Sequence, residues 1–109
     1  MWLVAALASL AGVAAVPALA SSPQAWENYG QQVQRACAAT SRLRQPRPAG
    51  DRVDFPAAGG GALTSALLLQ GTYPQPHLAG RRGLELCLYD SATKQARVVD
   101  ADRLQRPAR

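Results

Sequence analysis

Residues 71–90 gather several side chains that could do chemistry. The stretch GTYPQPHLAGRRGLELCLYD contains His77, which is the one histidine of the chain, the pair Arg81 and Arg82, and Cys87, one of two cysteines. An imidazole can serve as a general base, a metal ligand or a hydrogen-bonding contact. Each role requires different neighbours, so the rest of the sequence decides between them.

Catalysis by His77 lacks the partners that it needs. A histidine base acts on a nucleophile and is oriented by an acid, and no serine of the chain stands in a Gly-x-Ser-x-Gly pattern. A glycosidase would need two carboxylates with distinct roles, whereas Asp51 and Asp54 simply flank a short apolar alternation. The sequence therefore predicts no catalytic residues and no enzyme activity.

Metal and phosphate sites are equally poorly supported. One histidine and two cysteines that are expected to pair leave no four-ligand set for zinc. The glycines at positions 59–61 are followed by Ala62, Leu63 and Thr64, without the lysine that a phosphate-binding loop requires. No metal and no cofactor are expected.

The segment 73–83 has the composition of a recognition loop. Pro74 and Pro76 bias the residues before them toward extended conformations, and Gly80 and Gly83 add freedom at the far end. A stiff connection presents side chains at low entropic cost. The residues predicted to contact a partner are Tyr73, Gln75, His77, Arg81 and Arg82. The alternative for His77 is a structural or solvated loop residue.

Two cysteines, Cys37 and Cys87, are predicted to form a disulfide. The pairing follows from the oxidising compartment that the amino terminus indicates, and a domain of this size needs such support. Two buried free thiols are the alternative.

The first twenty residues, MWLVAALASLAGVAAVPALA, resemble a secretory signal peptide in their uncharged apolar run and the closing Ala18-Leu19-Ala20. Residues 1–20 are therefore predicted to be removed, which leaves a single domain over 21–109 that is secreted or periplasmic and has no membrane span. An uncleaved amino-terminal anchor is the alternative, because the run lacks the usual lysine or arginine.

The net charge of +5 and the pI near 10 indicate affinity for anionic polymers. Eleven of the twelve basic residues are arginines, and isoleucine is absent. GC-rich codons of a bacterial gene would produce the same composition without any selection for binding. No nucleic-acid partner is expected.

The elements that must position these residues are one helix and a small sheet. Ser22 and Pro23 form a helix start, and apolar residues recur at helical spacing to about residue 41. Residues 42–50 read as a proline-stiffened loop, 51–100 as a sheet, and 105–109 as a frayed tail. The predicted fold class is α+β, with the amphipathic helix 23–41 packed on three to four antiparallel strands.

The alternation within the predicted sheet leaves one question open. In "DRVDFP", Val53 and Phe55 are predicted to face inward. The run "ALTSALLLQGTY" is predicted to be a central strand covered on both faces, with a short helix as the alternative. In "LELCLYD" the leucines alternate with Glu85, Cys87 and Tyr89. If the leucines alone faced the core, Cys87 would point away from it, so the covered face is undecided.

The function expected from these observations is that of a small exported binding or accessory protein that acts through the loop 73–83. Two alternatives stay open. One is a basic cell-envelope protein that binds anionic wall or lipid polymers, and the other is a small inhibitor of a secreted enzyme. The partner is an unknown protein or an anionic envelope polymer.

Overall fold

The computed structural model describes residues 22–105, so the predicted signal peptide and the end of the predicted tail, residues 106–109, lie outside the described part. One α-helix packs on one face of a five-stranded antiparallel sheet, which confirms the α+β class with more strands than the three to four predicted. The elements are α1 Pro23–Thr40, β1 Arg44–Pro48, β2 Val53–Pro56, β3 Leu63–Thr72, a 3-10 helix Pro76–Leu78, β4 Arg82–Asp90, β5 Gln95–Asp100 and a 3-10 helix Asp102–Gln105.

The sheet has the order β1, β3, β4, β5, and β2 pairs with the first half of β3 on the edge that β1 also occupies. A hairpin joins β4 to β5 through residues 91–94. The main chain of Lys94 donates to Asp90 at 2.7 Å, and the Asp90 side chain accepts from the Ala92 N–H at 2.8 Å. Short-range turn chemistry therefore places β5 beside β4.

Helix α1 begins and ends where local capping satisfies its free backbone groups. The Ser22 hydroxyl accepts from the Ala25 N–H at 3.1 Å, and Pro23 occupies the first helical position. At the other end the Ser41 N–H donates to the Cys37 carbonyl at 3.0 Å. The predicted helix is confirmed to within one residue.

The core lies between α1 and the sheet, and the disulfide Cys37–Cys87 crosses it. Both cysteines are fully buried, among Val33 of the helix and Leu67, Leu69 and Tyr89 of the sheet. The predicted pairing is therefore confirmed.

Strand β4 shows which alternating set faces the helix. Glu85, Cys87 and Tyr89 are buried beneath α1, whereas Leu84, Leu86 and Leu88 point to the opposite side and are half-buried. The disulfide and the tyrosine occupy the side that the helix covers. The leucine alternation is real, but it marks the face away from the helix.

Two sequence interpretations of the edge of the sheet were wrong. Residues 42–50 were predicted as a loop, but Arg44–Pro48 pairs with β3. Proline has no N–H to donate to the hydrogen bonds between strands, so it is confined to edge strands and irregularities. Strand β1 contains two prolines, and it lies at an edge with an irregular register between Arg44 and Arg47. Gln45 has a φ of 51° within that irregularity.

Val53 and Phe55 of β2 do not face the core, contrary to the prediction. They are 55% and 54% exposed, while Asp54 between them points toward the helix. The reason is a polar network under α1: the Asp54 carboxylate accepts from Arg52 at 2.8 Å and from the Ser65 hydroxyl at 2.6 Å. These hydrogen bonds hold Asp54 inward and turn its two apolar neighbours outward.

The side of the sheet away from α1, here called the open face, carries no second layer among residues 22–105. Strand β3 is therefore central but covered on one side, not on both as predicted. Cross-strand partners in an antiparallel sheet share a face, so the register defines its members. Its apolar residues are Val53, Phe55, Ala66, Leu68, Leu84, Leu86, Leu88 and Val99, and its charged residues are Arg44, Arg47, Arg82, Arg97 and Asp90.

Candidate functional site

A cleft of about 260 Å³ lies beneath the loop 73–83, at the end of the sheet where α1 terminates. The loop forms one wall, the chain that leaves the helix forms another, and β4 and β5 form the floor. The lining residues are Arg42, Leu43, Tyr73, Gln75, His77, Leu78, Leu84, Glu85 and Asp100. The cleft thus brings three of the five predicted contact residues together with residues that are distant in sequence.

Tyr73 fixes the stem of the loop. Its N–H donates to the Arg81 carbonyl at 2.9 Å, which closes the loop, and its ring lies against Gly83. A Cβ at position 83 would come within 2.6 Å of Tyr73 Cζ, so the ring occupies the space that any larger residue would need. The loop therefore leaves the sheet in one defined direction.

The Tyr73 hydroxyl ties this stem to the segment after β5. It donates to Asp102 Oδ2 and lies 3.5 Å from Asp100 Oδ2. The hydrogen bond to Asp102, together with partial burial, raises the pKa of Tyr73 above its ordinary value. Tyr73 is consequently a neutral donor at physiological pH.

Asp102 joins three parts of the site. Besides Tyr73, it accepts the Leu84 N–H through Oδ1 at 2.8 Å, and its own N–H donates to Asp100 Oδ1 at 2.8 Å. The loop, β4 and the segment after β5 are thereby connected through one carboxylate. These hydrogen bonds hold the walls of the cleft in place. Of the loop side chains, only that of Tyr73 takes part in them.

Glu85 places a carboxylate in the floor, although it is only 6% exposed. It accepts the Ser41 hydroxyl at 2.6 Å and the Arg42 N–H at 3.2 Å. Within residues 22–105 no cationic side chain lies within 4.0 Å of it, since the ion pair found there joins Arg52 to Asp54. Two donors from the end of α1 thus compensate the burial of this charge.

The tip of the loop is exposed and polar. His77 lies in the 3-10 helix Pro76–Leu78, and Gln75 immediately precedes it. Ala79 and Gly80 follow with φ values of 51° and 69°, which reverse the chain. With carboxylates in the floor, a guanidinium on one wall and an imidazole on the rim, the cleft suits a polar group of mixed charge more than a uniformly anionic one.

Nothing in the cleft supplies His77 with a nucleophile. Its lining contains no serine, threonine or cysteine side chain, and both cysteines are joined in the core. Among residues 22–105 no three histidine, cysteine, aspartate or glutamate side chains are grouped so as to hold a metal ion. The arrangement can bind through hydrogen bonds and charge.

The adjacent residues Arg81 and Arg82 lie on different surfaces of the domain. Arg81 is exposed in the loop, whereas Arg82 begins β4 on the open face, opposite Thr72. Arg82 lines a shallow depression of about 150 Å³ with Arg44 and Arg47. The sequence interpretation placed Arg82 with the loop, and the strand alternation places it on another surface.

A second polar cluster, which sequence reasoning missed, lies under the first half of α1. The Tyr29 and Ser65 hydroxyls are 2.7 Å apart, and Arg52 lies 5.0 Å above the Tyr29 ring. Burial raises the pKa of Tyr29. Burial alone would raise that of Asp54, but the hydrogen bonds from Arg52 and Ser65 outweigh it and lower the pKa. Because Ser65 is fully buried, its hydroxyl supports the fold by joining Tyr29 of the helix to Asp54 of the sheet.

Of the helices within residues 22–105, none is both long and apolar enough to cross a membrane. No protein-family model, curated protein or solved structure matches this chain.

Replacing Tyr73 with phenylalanine is expected to lower the free energy of unfolding by about 1 kcal/mol, because one hydrogen bond to a carboxylate is lost at a partly exposed site. Because the pKa of Tyr73 is higher in the folded than in the unfolded state, its hydrogen bond contributes its full stability at pH values below the unfolded pKa of tyrosine. This contribution is lost as the pH rises from there through the folded pKa. The difference between wild type and Tyr73→Phe should therefore be constant near neutrality and decrease above about pH 10.

Urea unfolding at several pH values measures this difference. Tyr73→Phe should leave the helix and sheet folded, as far-ultraviolet circular dichroism can establish. A difference that grows above pH 10 would contradict the assignment of the Tyr73 hydroxyl as the donor to Asp102.

Proposed function

We propose that this chain is a small exported binding or accessory protein whose contact surface is the loop 73–83 and the cleft beneath it. The observation that carries the proposal is the contrast between the stem and the tip of the loop. The stem is held by Tyr73 through Arg81, Gly83 and Asp102, while Gln75, His77 and Arg81 are exposed. A surface loop on a rigid scaffold is a common place for recognition.

Binding without catalysis is the mode of action that the cleft supports. Its mixed charge and hydrogen-bonding groups can complement a protein surface, and preorganisation lowers the entropic cost of association. The same loop could enter the active-site cleft of a secreted enzyme, which makes an inhibitor one form of this proposal. Export is proposed from the signal-peptide pattern of residues 1–20, and the buried disulfide is consistent with an oxidising compartment.

A second candidate function, binding to anionic envelope polymers or lipids, has its own supporting observation. Among residues 22–105, the one arginine within 4.0 Å of a carboxylate is Arg52. Arg44, Arg47 and Arg82 instead share one depression on the open face. This surface is separate from the cleft, so the two functions can be tested independently.

The loop proposal is tested with a triple variant, Gln75→Ala, His77→Ala and Arg81→Ala. The control triple variant is Gln24→Ala, Gln31→Ala and Arg35→Ala, which removes exposed side chains from α1. Each immobilised protein is used to capture binding proteins from an envelope extract of the producing cells. We expect the loop variant to lose the captured protein by at least about tenfold, as when contacts worth about 1.4 kcal/mol are removed, and the control to retain it.

Salt separates the two candidate functions in the same experiment. Polyanion binding weakens steeply as the ionic strength rises, whereas a loop seated in a cleft is affected much less. His77→Ala alone should change the free energy of unfolding by less than about 0.5 kcal/mol, as for most exposed residues. Equal capture by the loop and control variants, or no protein captured by wild type, would contradict the loop proposal.

A further inference from the structure

The open face combines an apolar centre with a basic border. Leu68, Leu84, Leu86 and Leu88 are half-buried in the middle, whereas Phe55 and Val53 on one edge and Val99 on the other are each more than half exposed. Large exposed apolar patches on small domains mark interaction sites. This face therefore has the character of an interaction surface, and its charges indicate the chemistry of a complementary partner.

The charged side chains on the open face are predominantly positive. Arg44, Thr72 and Arg82 lie side by side across three strands, because Thr72 pairs with both arginines. Arg47 follows in the next row opposite Gln70, and Arg97 lies beside Leu88 on β5. Against these four guanidinium groups the face carries a single carboxylate, that of Asp90. The complementary surface is anionic.

Arginine suits phosphate groups in particular. Its planar guanidinium can donate two parallel hydrogen bonds to phosphate oxygens and is weakly hydrated for a cation. The depression between Arg44, Arg47 and Arg82 is lined otherwise by Gln45, Gln70, Gly71 and Thr72, so it contains no carboxylate that would compete. A phosphate group fits this end of the face, and hydrocarbon fits the leucine-rich centre.

The distribution of exposed side chains on the open face favours a broad surface as its binding partner over a single helix. Four strands at about 4.8 Å spacing span roughly 14 Å between the outer backbones, and the apolar residues of this face that are more than half exposed stand at opposite edges, Val53 and Phe55 on one and Val99 on the other. One helix is about 10 Å wide, and it would cover the centre and leave these edges in water. A second copy of the chain would place its own four arginines and one aspartate against the same charges. The like charges would repel each other, which disfavours a dimer through this face.

We propose that the open face binds an anionic phospholipid membrane surface, with Arg44, Arg47, Arg82 and Arg97 on the lipid phosphates and Phe55, Val53 and Val99 in the interfacial region. This inference rests on the second candidate function and assigns it to a defined surface. Helix α1 and the Trp26 side chain then face away from the lipid.

The test uses the chain from Ser21 to Arg109, which contains every helix, strand and contact described above and removes the apolar leader that would bind lipid on its own. Its partitioning is measured by cosedimentation with vesicles of phosphatidylcholine and phosphatidylglycerol, and with vesicles of phosphatidylcholine alone. We expect binding to the anionic vesicles that weakens as salt is added.

Matched variants locate the binding surface. Arg47→Gln should lower the partition coefficient about fivefold, the effect of one basic residue near an anionic surface. Arg35→Gln should change it by less than about twofold, because Arg35 is exposed on α1, on the other side of the sheet from the open face, and charges weaken beyond a screening length of roughly 8 to 10 Å. Phe55→Ala should lower it about tenfold through lost apolar burial, whereas Trp26→Ala should not.

An internal reporter gives the orientation. Trp26 is the one tryptophan in the chain from Ser21, and it is 42% exposed on the helix side. Its emission should therefore not shift to shorter wavelength when vesicles bind. A shift, or equal binding by wild type, Arg47→Gln and Phe55→Ala, would overturn the proposal.

Other occupants give different results. Binding to soluble polyphosphate that is as tight as vesicle binding and indifferent to Phe55→Ala would identify a free polyanion and overturn the membrane assignment. Concentration-dependent dimers in analytical ultracentrifugation that Phe55→Ala abolishes would identify a second copy and also overturn it, as would no vesicle binding. The loop triple variant should bind vesicles like wild type, so failure here is distinguishable from failure of the loop proposal.

Discussion

Replacing Cys37 and Cys87 together with alanine is expected to lower the free energy of unfolding by about 4 kcal/mol, which is the chain-entropy value for a closed loop of this length. The two residues are separated by 50 positions and join α1 to β4. In the unfolded chain the cross-link restricts almost the whole span from the helix to the fourth strand. A native domain has a total stability of only about 5 to 15 kcal/mol, so the loss is a large fraction of it.

Urea unfolding of the oxidised wild type, the reduced wild type and the double variant measures this effect. The reduced wild type and the double variant should both unfold at markedly lower urea than the oxidised protein. Reductant should not change the double variant, which controls for other effects of the reagent. An oxidised wild type that unfolds at the same urea concentration with and without reductant would contradict the prediction.

The helix and the disulfide could be predicted because their determinants are local or few. Ser22 and Pro23 mark the start of α1 by capping chemistry that operates within four residues. With two cysteines, a single pairing exists. Such features depend little on where the remaining elements lie.

The identity of the covered face could not be predicted from alternation. A period of two in β4 defines two sets of side chains, but the pattern does not state which set meets the helix. The sequence therefore left the covered face of β4 undecided, and the helix covers the set that contains Cys87. For β2 the prediction was wrong, because Asp54 is held toward the helix by Arg52 and Ser65, which tertiary structure brings to it.

The candidate cleft was predicted in part. The proline-stiffened loop pointed to Tyr73, Gln75 and His77, and these do line one cleft. The contribution of Glu85, Asp100 and Asp102 depends on contacts between residues 18 to 44 positions apart in sequence, such as Leu84 to Asp102 and Ser41 to Glu85. No local pattern signals these contacts.

Two glycines show how the same substitution can have opposite consequences. A Cβ at Gly71 of β3 would lie 2.6 Å from the Arg44 carbonyl oxygen and 2.9 Å from Leu43 Cβ. Both neighbours belong to the chain that enters β1, and a backbone oxygen cannot move without displacing the strand. A Cβ at Gly30 of α1 would lie 2.7 Å from the end of the Arg52 side chain, which can rotate.

Gly71→Ala is therefore expected to lower the free energy of unfolding by about 2 kcal/mol or more, as overpacking against backbone does. Gly30→Ala should be neutral or stabilising by up to about 1 kcal/mol, since alanine favours a helix by that amount over glycine and the displaced guanidinium offsets part of the gain. Urea unfolding of the two variants beside wild type measures the contrast, and each variant serves as the control for the other. Because the Gly71 contact involves the junction of β1 and β3, Gly71→Ala should also speed amide hydrogen exchange in β1 while leaving α1 protected. If the two variants unfolded at the same urea concentration, close approach of β1 to Gly71 would not be what requires glycine there.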